Sequence, residues 1–323
     1  MVSMKLTADQ LRHFTDEGWL LVEDMFDVER DFGPLFDDYC AIADGLAASL
    51  QADQAVDVSY AREGSFNDKM LALARWTGGC ESQPFDISLP QAGVRDDTPM
   101  YLGAPAFRLL RHERLLDIVE QFVGSEIYSN PVQHIRVKVP ESLVADEFRS
   151  LGRRTPWHQD NGVITDEADD SNILTVWAPI TDATIEDGCL GILPRSHAAG
   201  LKPHCPRRLG ISLADKFVDR GRMLPIPMRA GSVLFLTKHT MHCSLPNRSG
   251  RIRWSFDLRY QPIGEPTGRP YFPGFVARSR SNPSSELHDP KAWAESWRVA
   301  RARLAAEPDP QYNRWRIDAP WCA

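Results

Sequence analysis

From about residue 131 to residue 262 the chain consists of short apolar stretches separated by turn-forming residues. The stretches read "PVQHIRVKVP", "NILTVWAPI", "CLGILP", "GSVLFLT" and "RIRWSFDLRYQP". Each alternates apolar with polar residues or is rich in β-branched residues, and Gly, Pro, Asp and Asn lie between them. Such strands bury one face and need a second layer to cover it. The sequence therefore predicts a mainly β fold, a β-sandwich or jelly roll, buttressed by helices.

Helical patterns dominate the part of the chain before these strands. Thr7 and Gln10 form a capping-box pattern for a short helix that ends at Gly18, and "WLLVEDMF" then predicts a strand. Apolar residues recur at helical spacing within residues 29–50 and again within 107–122. Beyond Pro262 a Pro-, Gly-, Arg- and Ser-rich stretch leads to a last predicted helix, "KAWAESWRVARARLA".

Neither an internal repeat nor a clear linker divides the sequence. We therefore expect one domain over residues 1–323, with a helical N-terminal part at about 1–125, a jelly-roll core at about 126–262 and a C-terminal extension at 263–323. The arginines of that extension, Arg269, Arg278 and Arg280, are expected to form a solvated basic stretch, with contact to an anionic ligand as the alternative. Substrate selection is expected from loops around residues 60–79 and from the extension.

Composition narrows the possible partners. A formal net charge of −7 and a sequence pI of about 5.7 argue against binding to nucleic acids or anionic membranes, which need a basic face. Small molecules are the expected partners, with a homo-oligomer possible. The six cysteines form no CxxC pair, and neither an export signal nor a long apolar window occurs. We therefore expect a cytoplasmic protein whose cysteines are small core residues.

The stretch "TPWHQDNG" places His158 and Asp160 two positions apart. Two residues at this spacing arise often by chance, and each isolated histidine is more often structural than ligating. One further histidine from a distant strand would complete a facial triad of two imidazoles and one carboxylate, which leaves positions open on Fe(II). The downstream candidates are His197, His204, His239 and His242.

Arg253 follows His242 by eleven residues, in the last alternating strand. Alternation places the polar residues of that strand on one face, namely Arg251, Arg253, Ser255, Asp257 and Arg259. An arginine inside a barrel needs an anionic partner, because an unpaired buried charge is costly. A guanidinium can bind a carboxylate through two hydrogen bonds. One carboxylate on a metal and a second on Arg253 together describe 2-oxoglutarate.

These motifs resemble the phytanoyl-CoA dioxygenase-like family of Fe(II)/2-oxoglutarate oxygenases. The resemblance rests on "WHQD", "DGCLGILPRSH", "AGSVLFLTKHTMHCSLPNRSGRIRWSFDLRY" and the opening "FTDEGWLLVEDMF". It implies a double-stranded β-helix with a cupin-like jelly roll around iron. The implied iron ligands are His158, Asp160 and His242, and the implied 2-oxoglutarate residues are Arg253, Ser244, Gln133 and Trp177.

The resemblance also implies a reaction, namely hydroxylation of an unactivated C–H bond of a small-molecule metabolite, with release of succinate and carbon dioxide. An intact Asp160 favours hydroxylation over halogenation, for which related enzymes lack the carboxylate. Desaturation, epoxidation and cyclisation start in the same way and remain alternatives. A metal-dependent cupin-type isomerase or hydrolase, or a non-catalytic binding protein, also remains open.

Overall fold

The computed structural model of the protein describes residues 4–54, 64–79, 82–144, 155–207 and 210–322. Its α-helices are α1 (Ala8–Glu17), α2 (Gly33–Gln54), α3 (Phe66–Thr77), α4 (Ala104–Leu110), α5 (Glu113–Val123) and α6 (Pro290–Ala306). Its strands are β1 (Trp19–Val22), β2 (Glu126–Lys138), β3 (Leu174–Pro179), β4 (Leu190–Ile192), β5 (His204–Arg207), β6 (Gly210–Leu213), β7 (Leu224–Ile226), β8 (Val233–Thr237), β9 (His242–Ser244), β10 (Arg253–Pro262) and β11 (Phe275–Ser279).

The strands form antiparallel sheets. The larger sheet has six strands in the order β1-β8-β3-β10-β2-β11, and a three-stranded sheet has the order β7-β4-β9. A hairpin of β5 and β6 lies apart from both sheets. Together these sheets and the N-terminal helices make a helix-buttressed, cupin-like jelly roll, which confirms the predicted fold class.

Sequence alternation located the central strands correctly. The stretches "NILTVWAPI", "CLGILP", "GSVLFLT" and "RIRWSFDLRYQP" contain β3, β4, β8 and β10. The two edge strands of the large sheet, β1 and β11, come from outside residues 126–262. Sequence patterns predicted β1 but not β11, which lies in the stretch that we expected to be irregular.

Helix boundaries follow local chemistry. Thr7 and Gln10 form the predicted capping box of α1, and Gly18 ends the helix with a left-handed backbone, φ 82°. The apolar pattern of residues 107–122 is divided between α4 and α5, because the chain leaves the helical conformation at His112, with φ −59° and ψ 122°. In the expected loop region 60–79, residues 60–63 lie outside the described residues and residues 66–77 form α3.

Aromatic rings fill the space between the N-terminal helices and the large sheet. Trp254 of β10 is buried, and its ring centroid lies 5.3 Å from those of Tyr39 and Phe85 and 4.9 Å from that of Phe66. Because alternating residues of a strand face opposite sides, Trp254 packs against the helices while its neighbours Arg253 and Ser255 face the jelly-roll interior. One strand thus supplies both the hydrophobic core and polar groups for a site.

The C-terminal residues are integral to the fold. β11 pairs with β2 in the large sheet, and Trp293 and Trp297 of α6 are buried in the main hydrophobic core. The expectation of a solvated arginine stretch is wrong for Arg269 and Arg278, which are 2% and 4% exposed. Arg280 does remain accessible, with 57% of its side chain exposed.

A disulfide joins Cys205 of β5 to Cys322 near the C-terminus. The reading of all cysteines as small core residues is therefore wrong for this pair; Cys189 and Cys243 are buried, and Cys80 lies outside the described residues. Since disulfides are typical of oxidising compartments, the bond removes the cysteine argument for a reduced cytosol. Among the described helices, none combines the length and the apolar character needed to cross a bilayer.

Candidate metal centre and cosubstrate cavity

The loop that contains His158 and Asp160 is held against strand β9. His158 and His242 form an antiparallel bridge in which each backbone N–H donates to the carbonyl of the other at 3.0 Å. The imidazole centroids are consequently 4.2 Å apart. The backbone of one short strand thus brings together two histidines that are far apart in sequence.

Both imidazoles present the same nitrogen to Asp160. The Nδ1 atoms lie 2.9 Å from backbone carbonyl oxygens, that of Pro156 for His158 and that of Thr240 for His242, so each Nδ1 carries the proton. The Nε2 atoms lie 3.8 Å and 4.0 Å from the Asp160 carboxylate. All three side chains are buried, and one ligand atom from each lies within 4.8 Å of the others. Two imidazole nitrogens and one carboxylate oxygen thus converge on a common point.

Burial and neighbouring charges set the protonation states that a metal needs. Burial and the nearby His242 lower the pKa of His158 to about 3, so its imidazole is neutral. Burial alone would raise the pKa of Asp160, but the Arg259 guanidinium and the two imidazoles outweigh it and hold the pKa well below its usual range. The carboxylate is therefore ionised at neutral pH.

Two residues from neighbouring strands hold the Asp160 carboxylate. Arg259 of β10 donates to Oδ1 from one Nη atom and to the Val132 carbonyl from the other, the latter at 2.8 Å. The Thr175 hydroxyl of β3 donates to Oδ2. Arg259 and Thr175 face each other in the β10–β3 register, which explains why both reach one carboxylate.

A third histidine, His204, supports the loop that contains His158 and Asp160. His204 is fully buried, and its Nε2 accepts the backbone N–H of Gln159 at 3.0 Å while its Nδ1 donates to the Lys202 carbonyl at 2.7 Å. A Cβ atom on Gly162 would lie 2.2 Å from the His204 ring, so only glycine fits there. His204 therefore fixes the backbone between the two candidate ligands of the loop.

Arg253 is buried beside this centre. Its Nη1 donates to the Ser255 hydroxyl at 2.7 Å, and its guanidinium carbon lies 5.4 Å from the Trp177 ring centroid. Its Nε has no hydrogen-bond partner, and within the described ranges it forms no ion pair with a carboxylate. Burial lowers the pKa of Arg253 to about 10. A guanidinium in this position has free donors for an anion.

Ser244 and Gln133 differ in their placement. The Ser244 hydroxyl lies near Arg253 in the same small recess and accepts from Lys138 Nζ at 2.6 Å and from the Thr155 backbone N–H at 2.8 Å. Gln133 instead donates to the Ile87 carbonyl at 3.2 Å and does not line the recess or the larger cavity. The structure therefore brings Ser244 and Trp177 to Arg253 and turns Gln133 away.

A cavity of about 680 Å³ opens onto the centre. Its walls include His158 and four arginines, which are Arg136, Arg253, Arg259 and Arg269. Asp86 and Asp257 also line it. Asp86 pairs with His134 at 2.9 Å, and Asp257 lies 3.8 Å from both Arg136 and Arg259. The cavity is large enough for a small molecule and carries excess positive charge.

Sequence reasoning missed the residues that support the candidate ligands. Strand alternation placed Arg259 on the interior face without a role, His204 was named only as a candidate ligand, and Thr175 was not singled out. His197 and His239 were candidates for the distant histidine, but the cluster with His158 and Asp160 contains His242 instead. His197 Nε2 lies 3.0 Å from the Thr15 carbonyl oxygen. The signal that was available for Arg259 was its position on the same face as Arg253.

Comparison with known proteins identifies the chain. The family model for phytanoyl-CoA dioxygenase matches residues 89–255, more than half of the sequence. The chain belongs to the phytanoyl-CoA dioxygenase family. It is 23% identical over 285 residues to rat (Rattus norvegicus) phytanoyl-CoA dioxygenase domain-containing protein 1, covering 83% of this chain and 94% of that protein. It is 20% identical over 267 residues to phytanoyl-CoA dioxygenase of Arabidopsis thaliana, covering 80% and 89%.

A solved structure shares the fold of this phytanoyl-CoA dioxygenase family member. The non-heme monooxygenase ThoJ superposes with a TM-score of 0.54 at 18% identity and covers 91% of this chain and 98% of its own. Family membership makes the protein a 2-oxoglutarate-dependent non-haem iron oxygenase that uses Fe(II), 2-oxoglutarate and oxygen. The donor set agrees, because two imidazole nitrogens and one carboxylate suit iron. Arg253, which has no carboxylate partner among the described residues, suits a second carboxylate.

Proposed function

We propose that this phytanoyl-CoA dioxygenase family member hydroxylates an unactivated C–H bond of a small-molecule metabolite. The overall reaction is R–H + 2-oxoglutarate + O2 → R–OH + succinate + CO2. Iron supplies the oxygen activation, and oxidative decarboxylation of 2-oxoglutarate supplies two of the electrons that reduce O2. The observation that carries the proposal is the buried set of His158, Asp160 and His242 beside Arg253, a buried arginine with no carboxylate partner among the described residues.

In this proposal His158, Asp160 and His242 hold the metal. The carbonyls of Pro156 and Thr240 fix the histidine tautomers, so that both Nε2 lone pairs are available without proton loss. Arg259 and Thr175 fix the rotation of the Asp160 carboxylate. An aligned carboxylate would offer one oxygen to the metal beside the two imidazole nitrogens.

Arg253 binds the distal carboxylate of 2-oxoglutarate, and its neighbours shape the recess. Trp177 lies against the Arg253 guanidinium, and the Ser255 hydroxyl accepts a hydrogen bond from Nη1. Because neither neighbour is charged, they orient the remaining N–H groups and leave the positive charge for the ligand. Ser244 borders the recess, while Gln133, which is bound to Ile87, is left out of the proposed cosubstrate set. The metabolite occupies the larger cavity.

A screen of small metabolites for substrate-dependent succinate formation tests the proposal. The expected product gains one oxygen atom, and one succinate forms per product. His158→Ala and His242→Ala should abolish turnover and remain folded, whereas His239→Ala, a matched change outside the triad, should retain it. Product formation without succinate, or turnover with Zn(II) in place of Fe(II), would replace hydroxylation by isomerase or hydrolase chemistry.

A further inference from the structure

Arg269 is a buried cation for which the described residues supply no anion. It is 2% exposed and lines the large cavity together with His158 and Arg253. Its Nη2 donates to the Val163 carbonyl at 2.9 Å, and its Nε has no partner. Within the described ranges it forms no ion pair. Such a charge is costly unless something binds it.

Arg278, nine residues further along, shows how this fold treats a structural arginine. It is equally buried, at 4% exposure, but it pairs with three carboxylates: Glu113 at 2.7 Å, Asp117 at 2.9 Å and Glu120 at 3.0 Å. The same C-terminal segment thus contains one neutralised and one unneutralised buried arginine. Only Arg269, the unneutralised one, lines the cavity.

Packing fixes Arg269 close to the metal loop. Its guanidinium carbon lies 4.9 Å from the ring centroid of Tyr312 and 5.7 Å from that of Phe272. Gly268, with φ +70°, approaches Ile164 so closely that a Cβ atom would lie 2.7 Å from that side chain. These contacts hold the guanidinium in one orientation. The aromatic rings contact it, while its Nε has no hydrogen-bond partner.

The other cavity arginines already have their anions. Arg259 binds Asp160, and Arg253 is assigned to 2-oxoglutarate by the proposed function. Arg136 lies 3.8 Å from Asp257 and is half exposed. Among the described arginines that line the cavity, Arg269 is therefore the one available to an anion that enters from outside. Arg269 donates to the carbonyl of Val163, which lies three residues after Asp160. An anion bound to Arg269 would therefore lie in the large cavity, close to the metal loop.

We infer that the metabolite carries an anionic group, a carboxylate or a phosphate, and that Arg269 binds it. This inference rests on the proposed function, because it takes Arg253 to be occupied by 2-oxoglutarate. Binding of the anion positions the carbon skeleton over the metal centre. A planar guanidinium with a free edge suits either oxyanion.

Calorimetric titration of the anaerobic protein loaded with Fe(II) and 2-oxoglutarate tests the inference with matched probes. The pairs are hexanoate and hexanamide, phenylacetate and phenylacetamide, and hexyl phosphate and hexanol. At least one anion should bind about tenfold or more tightly than its neutral partner. Arg269→Gln should abolish that preference without changing affinity for the neutral probe, and Arg269→Lys should retain part of it.

Controls separate this inference from the proposed function. Arg316→Gln makes the same charge change at an exposed arginine paired with Asp318 and should leave the preference intact. 2-Oxoglutarate affinity is measured on every variant. If the wild type binds 2-oxoglutarate but shows no preference for the anionic probes, the inference about Arg269 is wrong and the proposed function stands. The same conclusion follows if Arg269→Gln binds 2-oxoglutarate more weakly than the wild type. Failure of the wild type to bind 2-oxoglutarate overturns the proposed function.

Discussion

Replacement of Arg253 by methionine should stabilise the protein and strongly weaken its binding of 2-oxoglutarate. Arg253 is 2% exposed and, within the described part of the chain, has Ser255 and Trp177 as neighbours but no carboxylate in an ion pair. Methionine fills most of the same volume without a charge. A buried charge that serves ligand binding destabilises the protein when the ligand is absent. Its removal should therefore raise stability and lower function.

The magnitude follows from burial. Burial lowers the pKa of Arg253 from 12.5 to about 10. At neutral pH, keeping this buried cation charged therefore costs the folded state about 3 kcal/mol of stability. Loss of the Ser255 hydrogen bond and the Trp177 contact offsets about 1–2 kcal/mol. The free energy of unfolding without 2-oxoglutarate should therefore rise by about 1–2 kcal/mol. Loss of the charge partner should weaken 2-oxoglutarate binding by about 2–5 kcal/mol, roughly 30-fold to several-thousand-fold.

Denaturant unfolding of the 2-oxoglutarate-free protein, and calorimetric titration of 2-oxoglutarate into the anaerobic Fe(II) protein, measure the two effects. Arg278→Met is the matched control: it removes an equally buried arginine that has three carboxylate partners, so it should lose about 3–5 kcal/mol. Wild-type affinity for 2-oxoglutarate in Arg253→Met would refute the assignment. A fall in stability of that variant would refute the reasoning from burial.

Three further perturbations test the supporting structure. Thr175→Val should lower Fe(II) affinity about tenfold in an anaerobic metal competition, since it removes a hydrogen bond to the ligand carboxylate, and unchanged affinity would contradict this. Truncation after Pro262 should yield protein without a cooperative thermal transition, because it removes an edge strand and the buried Trp297; a sharp transition would show that the core folds alone. Gly162→Ala should cost about 1–3 kcal/mol in unfolding experiments through its clash with His204, and His204→Ala should reduce that cost in the double variant; strict additivity would exclude the contact.

The sequence predicted the parts of the site that depend on local spacing and alternation. His158, Asp160 and His242 converge as expected, and Arg253 and Arg259 both lie on the interior side of β10. The His158–Asp160 pair depends on the short range of a loop, and the interior face of β10 depends on the period of a single strand, so both are visible without knowledge of neighbouring strands. His242, which lies far from His158 in the sequence, was implied by the family resemblance.

What the sequence did not predict depends on pairing between distant segments. Arg259 reaches Asp160 because β10 is paired with β3 in a register that only the sheet defines. Gln133 donates to the carbonyl of Ile87, a residue of a distant segment that the pattern of its own strand does not reveal.

The disulfide is a second case of long-range pairing. Its two cysteines are 117 residues apart in the sequence, and spacing alone cannot pair cysteines at such a separation. The burial of Arg269 and Arg278 depends likewise on how the C-terminal extension packs against the main core.

The most direct test of the central claim is an anaerobic titration of 2-oxoglutarate into the Fe(II)-loaded protein, followed by the metal-to-ligand charge-transfer absorption. The wild type and His239→Ala should develop the band with one equivalent of 2-oxoglutarate, and His242→Ala should not. A wild type that shows no band, or a His242→Ala protein that shows the full band, would contradict an iron centre built from His158, Asp160 and His242.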